Sequence, residues 1–405
     1  IAALPWVLRG GPPPRAHDAC RFAPGRILRD PWLWVVTAAA AILRLPALFD
    51  SLQCDEFMSL DSYVIRSMPF SATFYVSANN HIFYNLAAHV MVELFGVSPA
   101  VQRIPALAAG MASIVFIYAA ARLYVRRPWA LAAAALLAES VVHVRYSTEA
   151  RAYTILILGA ALGTYLLALA GHTGRTRYAA GYAITTILAA WAHPFMAFMT
   201  VAHAAVVLAG GPARRRAAAL FALTGCAVAV LYAVPAAFYL AHLHNLDPGG
   251  TAASRLVQLV GTAFEAAASP FLGGGRVATW TWAGLAAAGV AVLLRPRPRL
   301  TLLLAAPAVP AILSVLAGPW EFAIFRFHLY LLPAMAIGVA AALGRAARGW
   351  ARAVSAAAAA ILVVAGSAST GLFHAQGRTD DRTVSDEVNA PATSGDEVKL
   401  VMETG

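Results

Sequence analysis

The chain has 405 residues, 60% of them apolar and 12% charged, with a formal net charge of +11. That balance excludes an ordinary soluble domain, and because the arginines sit in short clusters between apolar runs, it also excludes a nucleic-acid-binding surface as the source of the charge. The three cysteines, Cys20, Cys54 and Cys226, lie far apart in the chain, which excludes a disulfide framework or a cysteine metal cluster.

In chain order, residues 1–30 read as a basic cytoplasmic lead without the apolar stretch of a cleavable signal peptide. Apolar runs follow near 31–49, 104–124, 128–144, 150–170, 179–192, 195–210, 217–240, 277–294, 300–317, 329–344 and 353–370. They predict an all-α polytopic membrane protein whose region 31–370 forms a bundle of about eleven transmembrane helices. Residues 371–405 are polar, and the alternation Val398, Leu400, Met402 resembles the start of a strand. The tail is therefore expected to be a truncated outer soluble domain.

Orientation follows from charge. Alternate loops carry Arg126 and Arg127; Arg175 and Arg177; Arg214, Arg215 and Arg216; Arg295, Arg297 and Arg299; and Arg345, Arg348 and Arg352. The positive-inside rule puts these loops in the cytoplasm. Of the 19 carboxylates, only Asp18 and Asp30 fall inside on this map. The expected location is the plasma (inner) membrane, with the chemistry on the non-cytoplasmic side. There a first outer loop spans 50–103 and a second about 144–150.

The apolar run 81–96 would break this parity if it spanned. Its polar residues His81, Asn85, His89 and Glu93 recur every four positions, so they form one stripe on a helix. The run is read as a juxtamembrane helix lying on the membrane.

The polar residues at membrane level are the candidates for chemistry. The adjacent carboxylates Asp55 and Glu56 open the first outer loop, and Arg44 lies near the outer end of the first span. Snorkelling to the outer headgroups is the structural alternative for Arg44. The second loop concentrates His143, Arg145, Tyr146, Glu149, Arg151 and Tyr153. A helical Arg145–Glu149 ion pair at i, i+4 is the structural alternative there. Arg103, His193, Glu321, Arg326 and His328 map to the same side. The histidine spacings match no standard metal motif, and a divalent metal joining His193 to Glu56 or Glu149 stays an open alternative.

Four of these pieces occur in a familiar order: Asp55-Glu56; Asn80-His81-Ile-Phe-Tyr84; Arg103-Ile-Pro-Ala-Leu107; and Arg145-Tyr-Ser-Thr-Glu-Ala-Arg-Ala-Tyr153. Over roughly residues 31–200 the chain resembles the GT-C superfamily of polytopic glycosyltransferases, in its protein O-mannosyltransferase and aminoarabinose-transferase branch. It departs from that pattern at Ile82, where proline is common, and at Glu149, where several members carry aspartate. The resemblance implies a donor sugar linked to a polyprenyl phosphate, with Asp55 as catalytic base and the second-loop residues shaping the donor site.

Phosphate is already a good leaving group, so one base suffices, unlike the carboxylate pair of glycosidases. Arg103, Arg145, Arg151 and Arg326, with Arg44 as a further candidate, have the planar fork that binds phosphate oxygens. The expected substrate-binding set is thus Arg44, His81, Arg103, Arg145, Glu149, Arg151, Tyr153, His193, Arg326 and His328, beside Asp55 and Glu56. Expected partners are the lipid-linked donor, a lipid, glycan or protein acceptor, and membrane lipid, with no nucleic acid. A transporter or lipid flippase is the rival reading, and it would place polar residues through the bilayer midplane. His203 is the main deep polar residue available for it.

Overall fold

The computed structural model describes residues 24–75, 80–209, 214–238, 240, 251, 254, 276–317 and 325–347. The tail expected at 371–405, the run 353–370 and Glu321 lie outside these residues. All the regular structure among the described residues is helical.

Helix α1 (Pro31–Arg44) begins where a proline can occupy the first turn at no hydrogen-bonding cost, and Asp30 caps it by accepting from the Trp32 amide at 3.2 Å. Three short helices build the first loop: α2 (Cys54–Ser59) and α3 (Met68–Thr73), separated by a π turn at Leu60–Val64, then α4 (Ile82–Phe95). The long α5 (Pro99–Ala121) again starts on a proline, with Ser98 accepting from the Val101 amide at 3.3 Å. Next come α6 (Arg127–Glu139), α7 (Val141–Ser147), α8 (Tyr153–Thr173), α9 (Thr176–Ala192), α10 (Met196–Leu208) and α11 (Arg214–Tyr232). The described part ends with α12 (Arg276–Leu294), α13 (Pro298–Ala305), α14 (Ala308–Ala317), a 3₁₀ segment Phe325–Leu331 and α15 (Leu332–Ala346). Gly174 terminates α8 at φ +68°, a left-handed conformation that glycine adopts without a Cβ penalty.

Helix α8 is the axis of the bundle, packed between α5 and α9 and crossed by Phe325–Leu331. Around it, α4 lies on α5 and α9, α1 on α5 and α6, and α15 on α6 and α12. Helix α12 meets α15 through Gly289 and Gly338, where a Cβ on Gly338 would sit 2.6 Å from the Ala286 carbonyl oxygen. Such small-residue contact is how helices approach closely where lipid supplies no hydrophobic drive.

Among the described residues, six segments are long and apolar enough to cross a bilayer: 31–49, 99–121, 153–173, 215–232, 298–316 and 326–346. The expected run 128–144 is not one helix, because the chain breaks at Ser140 between α6 and α7. Helix α4 has 14 residues, about 21 Å at 1.5 Å each, short of the roughly 30 Å hydrocarbon layer. Three of its four stripe residues, however, face inward, while Glu93 is exposed. Asn85 is buried and donates to Asn80 Oδ1 at 3.0 Å, His81 is buried, and His89 Nδ1 donates to the Val64 carbonyl at 2.7 Å. The stripe satisfies the backbone and side chains of the loop beside it, while Leu94 and Phe95 are exposed.

At the N-terminal end of α1, Asp30 is buried and accepts from Arg127 Nε and Nη2, both at 2.7 Å, and from the Tyr118 hydroxyl at 2.5 Å. The Arg127 hydrogen bonds, joined by Tyr118 and the Trp32 amide, hold the Asp30 carboxyl well below the usual carboxylate range against the opposing effect of burial. A depressed carboxylate stabilises the fold above its unfolded value near pH 4 and loses that contribution as pH falls. Asp30→Ala is expected to cost about 2–4 kcal/mol, from the lost cap and the stranded Tyr118 hydroxyl. Thermal denaturation in detergent should also show the variant lacking the wild type's acid-dependent component below about pH 4.

Candidate functional site

Glu56 and Arg103 form the floor. Glu56 is the third residue of α2, and its Oε2 accepts from the Gln53 amide at 2.9 Å, which caps the helix. Arg103, one turn into α5, grips the same carboxylate with Nε at 2.8 Å and Nη2 at 2.6 Å. The Ala150 amide adds a fourth donor at 2.5 Å. Both side chains are buried. The rest of the Arg103 fork donates to the carbonyls of Ala47, Leu48 and Asp50 through Nη1 and of Ser51 through Nη2, at 2.7–3.2 Å. Arg103 thus holds residues 47–56 against α5 with every guanidinium nitrogen. Glu56 is likewise spent on four donors.

Asp55 precedes Glu56 on α2 and points the other way. Its side chain is half exposed, and Oδ2 meets Arg151 Nη1 at 3.2 Å. A carboxylate in the first turn of a helix is favoured by the unpaired amides there. Arg151 is buried, and its guanidinium lies 5.6 Å from the centre of the Tyr153 ring. The acidic pair of the first loop and the Arg-Tyr segment of the second therefore meet on one side of the bundle, through Asp55–Arg151 and Glu56–Ala150.

Around Arg151 the structure gathers most of the expected residues. The rings of His81 and His193 stack with centroids 5.4 Å apart, and Tyr153 lies 5.4 and 5.6 Å from them. Tyr146 packs on Tyr153 at 4.5 Å. Phe195 and Phe327 extend the wall to His328, which lies 5.3 Å from Phe195. Arg326 lies 5.4 Å from the centre of the Phe327 ring, and its Nε is buried without a hydrogen-bond partner among the described residues. Burial first, then the positive charges of Arg151 and Arg326 with the neighbouring histidines, holds the His81 and His193 rings neutral. His193 is held down to about 3.

Glu149 is buried and paired with the half-exposed Arg145, as the i, i+4 reading anticipated. Burial raises the Glu149 carboxyl, with Arg145 opposing. Phe195 and Phe327 were not singled out from sequence, because an aromatic residue in an apolar run carries no mark of its own. Their adjacency to His193-Pro194 and Arg326 was the available signal.

Arg44 stands apart. It does not snorkel outward: it is fully buried and donates to the carbonyls of Ala40 at 2.7 Å and Ala138 at 2.9 Å. It also donates to His143 Nδ1 at 2.6 Å, and His143 Nε2 in turn donates to Ser113 Oγ at 2.8 Å. This chain ties α1, α5 and α7 together beneath the site. His203 is similarly absorbed: Nε2 donates to the Leu303 carbonyl at 2.9 Å and Nδ1 accepts from the Tyr182 hydroxyl at 3.2 Å. No group of three metal-binding side chains occurs among the described residues. Glu56 and Glu149, the carboxylates considered for a metal with His193, are both engaged by arginines.

The sequence profile of the dolichyl-phosphate-mannose-protein mannosyltransferase family matches residues 80–239. Crystal structures of ArnT from Cupriavidus metallidurans superpose with TM-scores of 0.56 in the apo state and 0.57 bound to undecaprenyl phosphate, at 17% and 14% identity. The chain has the GT-C fold. The ArnT alignments cover 78% of this chain and 60% and 61% of ArnT, so the chain spans about 60% of the ArnT length. The GT-C likeness extends to the Archaeoglobus fulgidus oligosaccharyltransferase in complex with zinc and sulfate, at TM-score 0.52 and 17% identity over 84% of this chain and 52% of that one. No curated protein matches the chain in sequence.

Proposed function

We propose that this multi-pass membrane protein is an inverting glycosyltransferase, moving a mannose-like sugar or a pentose from a polyprenyl-phosphate donor to an acceptor hydroxyl at the non-cytoplasmic face of the plasma membrane. One observation carries the reading: half-exposed Asp55 sits 3.2 Å from buried Arg151, beside an aromatic and imidazole wall that also brings in Arg326. Base and phosphate-binding groups are thereby adjacent. The undecaprenyl phosphate held by the similar ArnT supports a lipid phosphate as the leaving group.

In the proposed reaction the acceptor oxygen attacks the anomeric carbon as Asp55 takes its proton. The bond from that carbon to the phosphate oxygen breaks, and its electron pair leaves with the polyprenyl phosphate. The lipid phosphate gains a negative charge in this step, which Arg151 and Arg326 are placed to stabilise. No group needs to protonate the leaving phosphate. Glu56 and Arg103 keep α2, and so Asp55, against the second loop.

The test is transfer in proteoliposomes from undecaprenyl phosphate carrying radiolabelled mannose or arabinose, with cell-envelope lipid and glycan as acceptors. Arg151→Gln is expected to lower kcat/KM for the donor about 100-fold, by comparison with the loss of a single oxyanion donor. Unchanged donor use by this variant would remove Arg151 from the phosphate site.

A further inference from the structure

His81 and His193 are fixed in opposite tautomers by the same turn of backbone. A carbonyl oxygen only accepts, so His81 Nδ1, 3.3 Å from the Ala192 carbonyl, carries the ring proton. Its Nε2 is then a lone-pair acceptor. That atom is buried and has no hydrogen-bond partner among the described residues. A backbone amide only donates, so His193 Nδ1, which takes the Phe195 amide at 3.3 Å, is the acceptor of its ring. His193 Nε2 therefore carries the proton. The two rings are stacked at 25°, and both are anchored through Nδ1 to residues 192–195. In each ring Nε2 lies across from the anchored Nδ1, so the stacked pair carries one acceptor and one donor.

Buried polar atoms are almost always paired. An acceptor with no partner among the described residues, set within this ring cluster, is a specificity element for a ligand that reaches it, because a ligand that lacks the matching donor leaves it unpaired. A flat sugar face suits the stacked rings and Tyr153, and adjacent hydroxyls can each give or take a proton. The electrostatics are also selective. Arg151 and Arg326 lie close enough to act on both imidazoles, while the nearby carboxylates Asp55 and Glu149 are engaged by Arg151 and Arg145.

We propose that the His81–His193 pair selects an uncharged sugar on the donor, accepting a proton from one hydroxyl at His81 Nε2 and donating to its neighbour from His193 Nε2, and that it rejects a sugar bearing an ammonium group. The proposal rests on the glycosyl-transfer reading and adds the class of sugar to it. Nothing in it depends on which carboxylate is the base.

The experiment measures affinity of the full chain in detergent for bare undecaprenyl phosphate and for the same lipid carrying mannose, arabinose or aminoarabinose. Wild type is expected to bind at least one neutral-sugar lipid about tenfold or more tighter than the bare lipid, and the aminoarabinose lipid no tighter than the bare one. His81→Phe keeps the stacked ring and removes the acceptor, so that tenfold ratio should fall to about one. His81→Gln, whose amide oxygen can reach the Nε2 position, should restore part of it. The proposal is overturned if the aminoarabinose lipid is preferred, if neither neutral sugar improves on the bare lipid, or if His81→Phe leaves the ratio intact. The wild-type comparison decides the sugar class even if His81→Phe does not fold. Failure to bind any of the four lipids would instead reject the donor assignment beneath it.

Discussion

Asp55→Asn is expected to abolish sugar transfer, lowering kcat by about 100- to 10,000-fold, the range that positioned general bases supply. The substitution preserves size and can still accept from Arg151, so donor affinity and thermal stability in detergent should stay close to wild type. Asp55 is half exposed, which separates it from the buried Glu56 one residue on. The decisive readout is single-turnover transfer in proteoliposomes at saturating donor. Retained turnover with Asp55→Asn would falsify its assignment as base, and Glu149, the other carboxylate near Arg151, would be the next to replace.

Arg103→Met is expected to act quite differently, by unfolding residues 46–60. Removing the guanidinium leaves the Glu56 carboxylate buried with the Gln53 and Ala150 amides as donors, and takes the Arg103 hydrogen bonds away from the carbonyls of Ala47, Leu48, Asp50 and Ser51. Breaking one side of a buried pair costs about 3–5 kcal/mol. Thermal unfolding and protease cleavage between residues 46 and 60 should report the loss, with transfer falling in parallel. Glu56→Gln should cost less, since its amide oxygen still accepts from Arg103 and no bare charge is left behind. A stable Arg103→Met protein defective only in donor affinity would return Arg103 to the phosphate-binding role expected from its residue type.

These contrasting expectations for neighbouring residues show where reading the chain alone runs out. Asp55-Glu56 looks like one acidic motif, yet adjacent helical positions are about 100° apart, and the two carboxylates meet different groups of the second loop. One is bonded four times in the interior and the other faces outward. Arg103, Arg145 and Arg151 were equivalent as phosphate binders by residue type. Packing separates them: Arg103 is consumed by the loop, Arg145 pairs with Glu149, and Arg151 lies between Asp55 and Tyr153. The four-residue polar stripe of α4 was legible as a helical face, but its direction was not. Periodicity reports that polar groups share a side, and only the neighbouring chain decides whether that side meets water or backbone carbonyls.

By itself the sequence determined that the chain is a helical membrane protein, because apolar runs of this length and charge clusters of this spacing have few other physical solutions. It also placed its reactive residue types in two segments, near 55 and near 150. The tertiary structure alone decided that these segments meet, that Glu56 and Arg103 pair in the interior, and that His81 and His193 stack. Those outcomes depend on which side-chain atom reaches which backbone group over separations such as the 94 residues between Glu56 and Ala150, and no local pattern encodes such a contact.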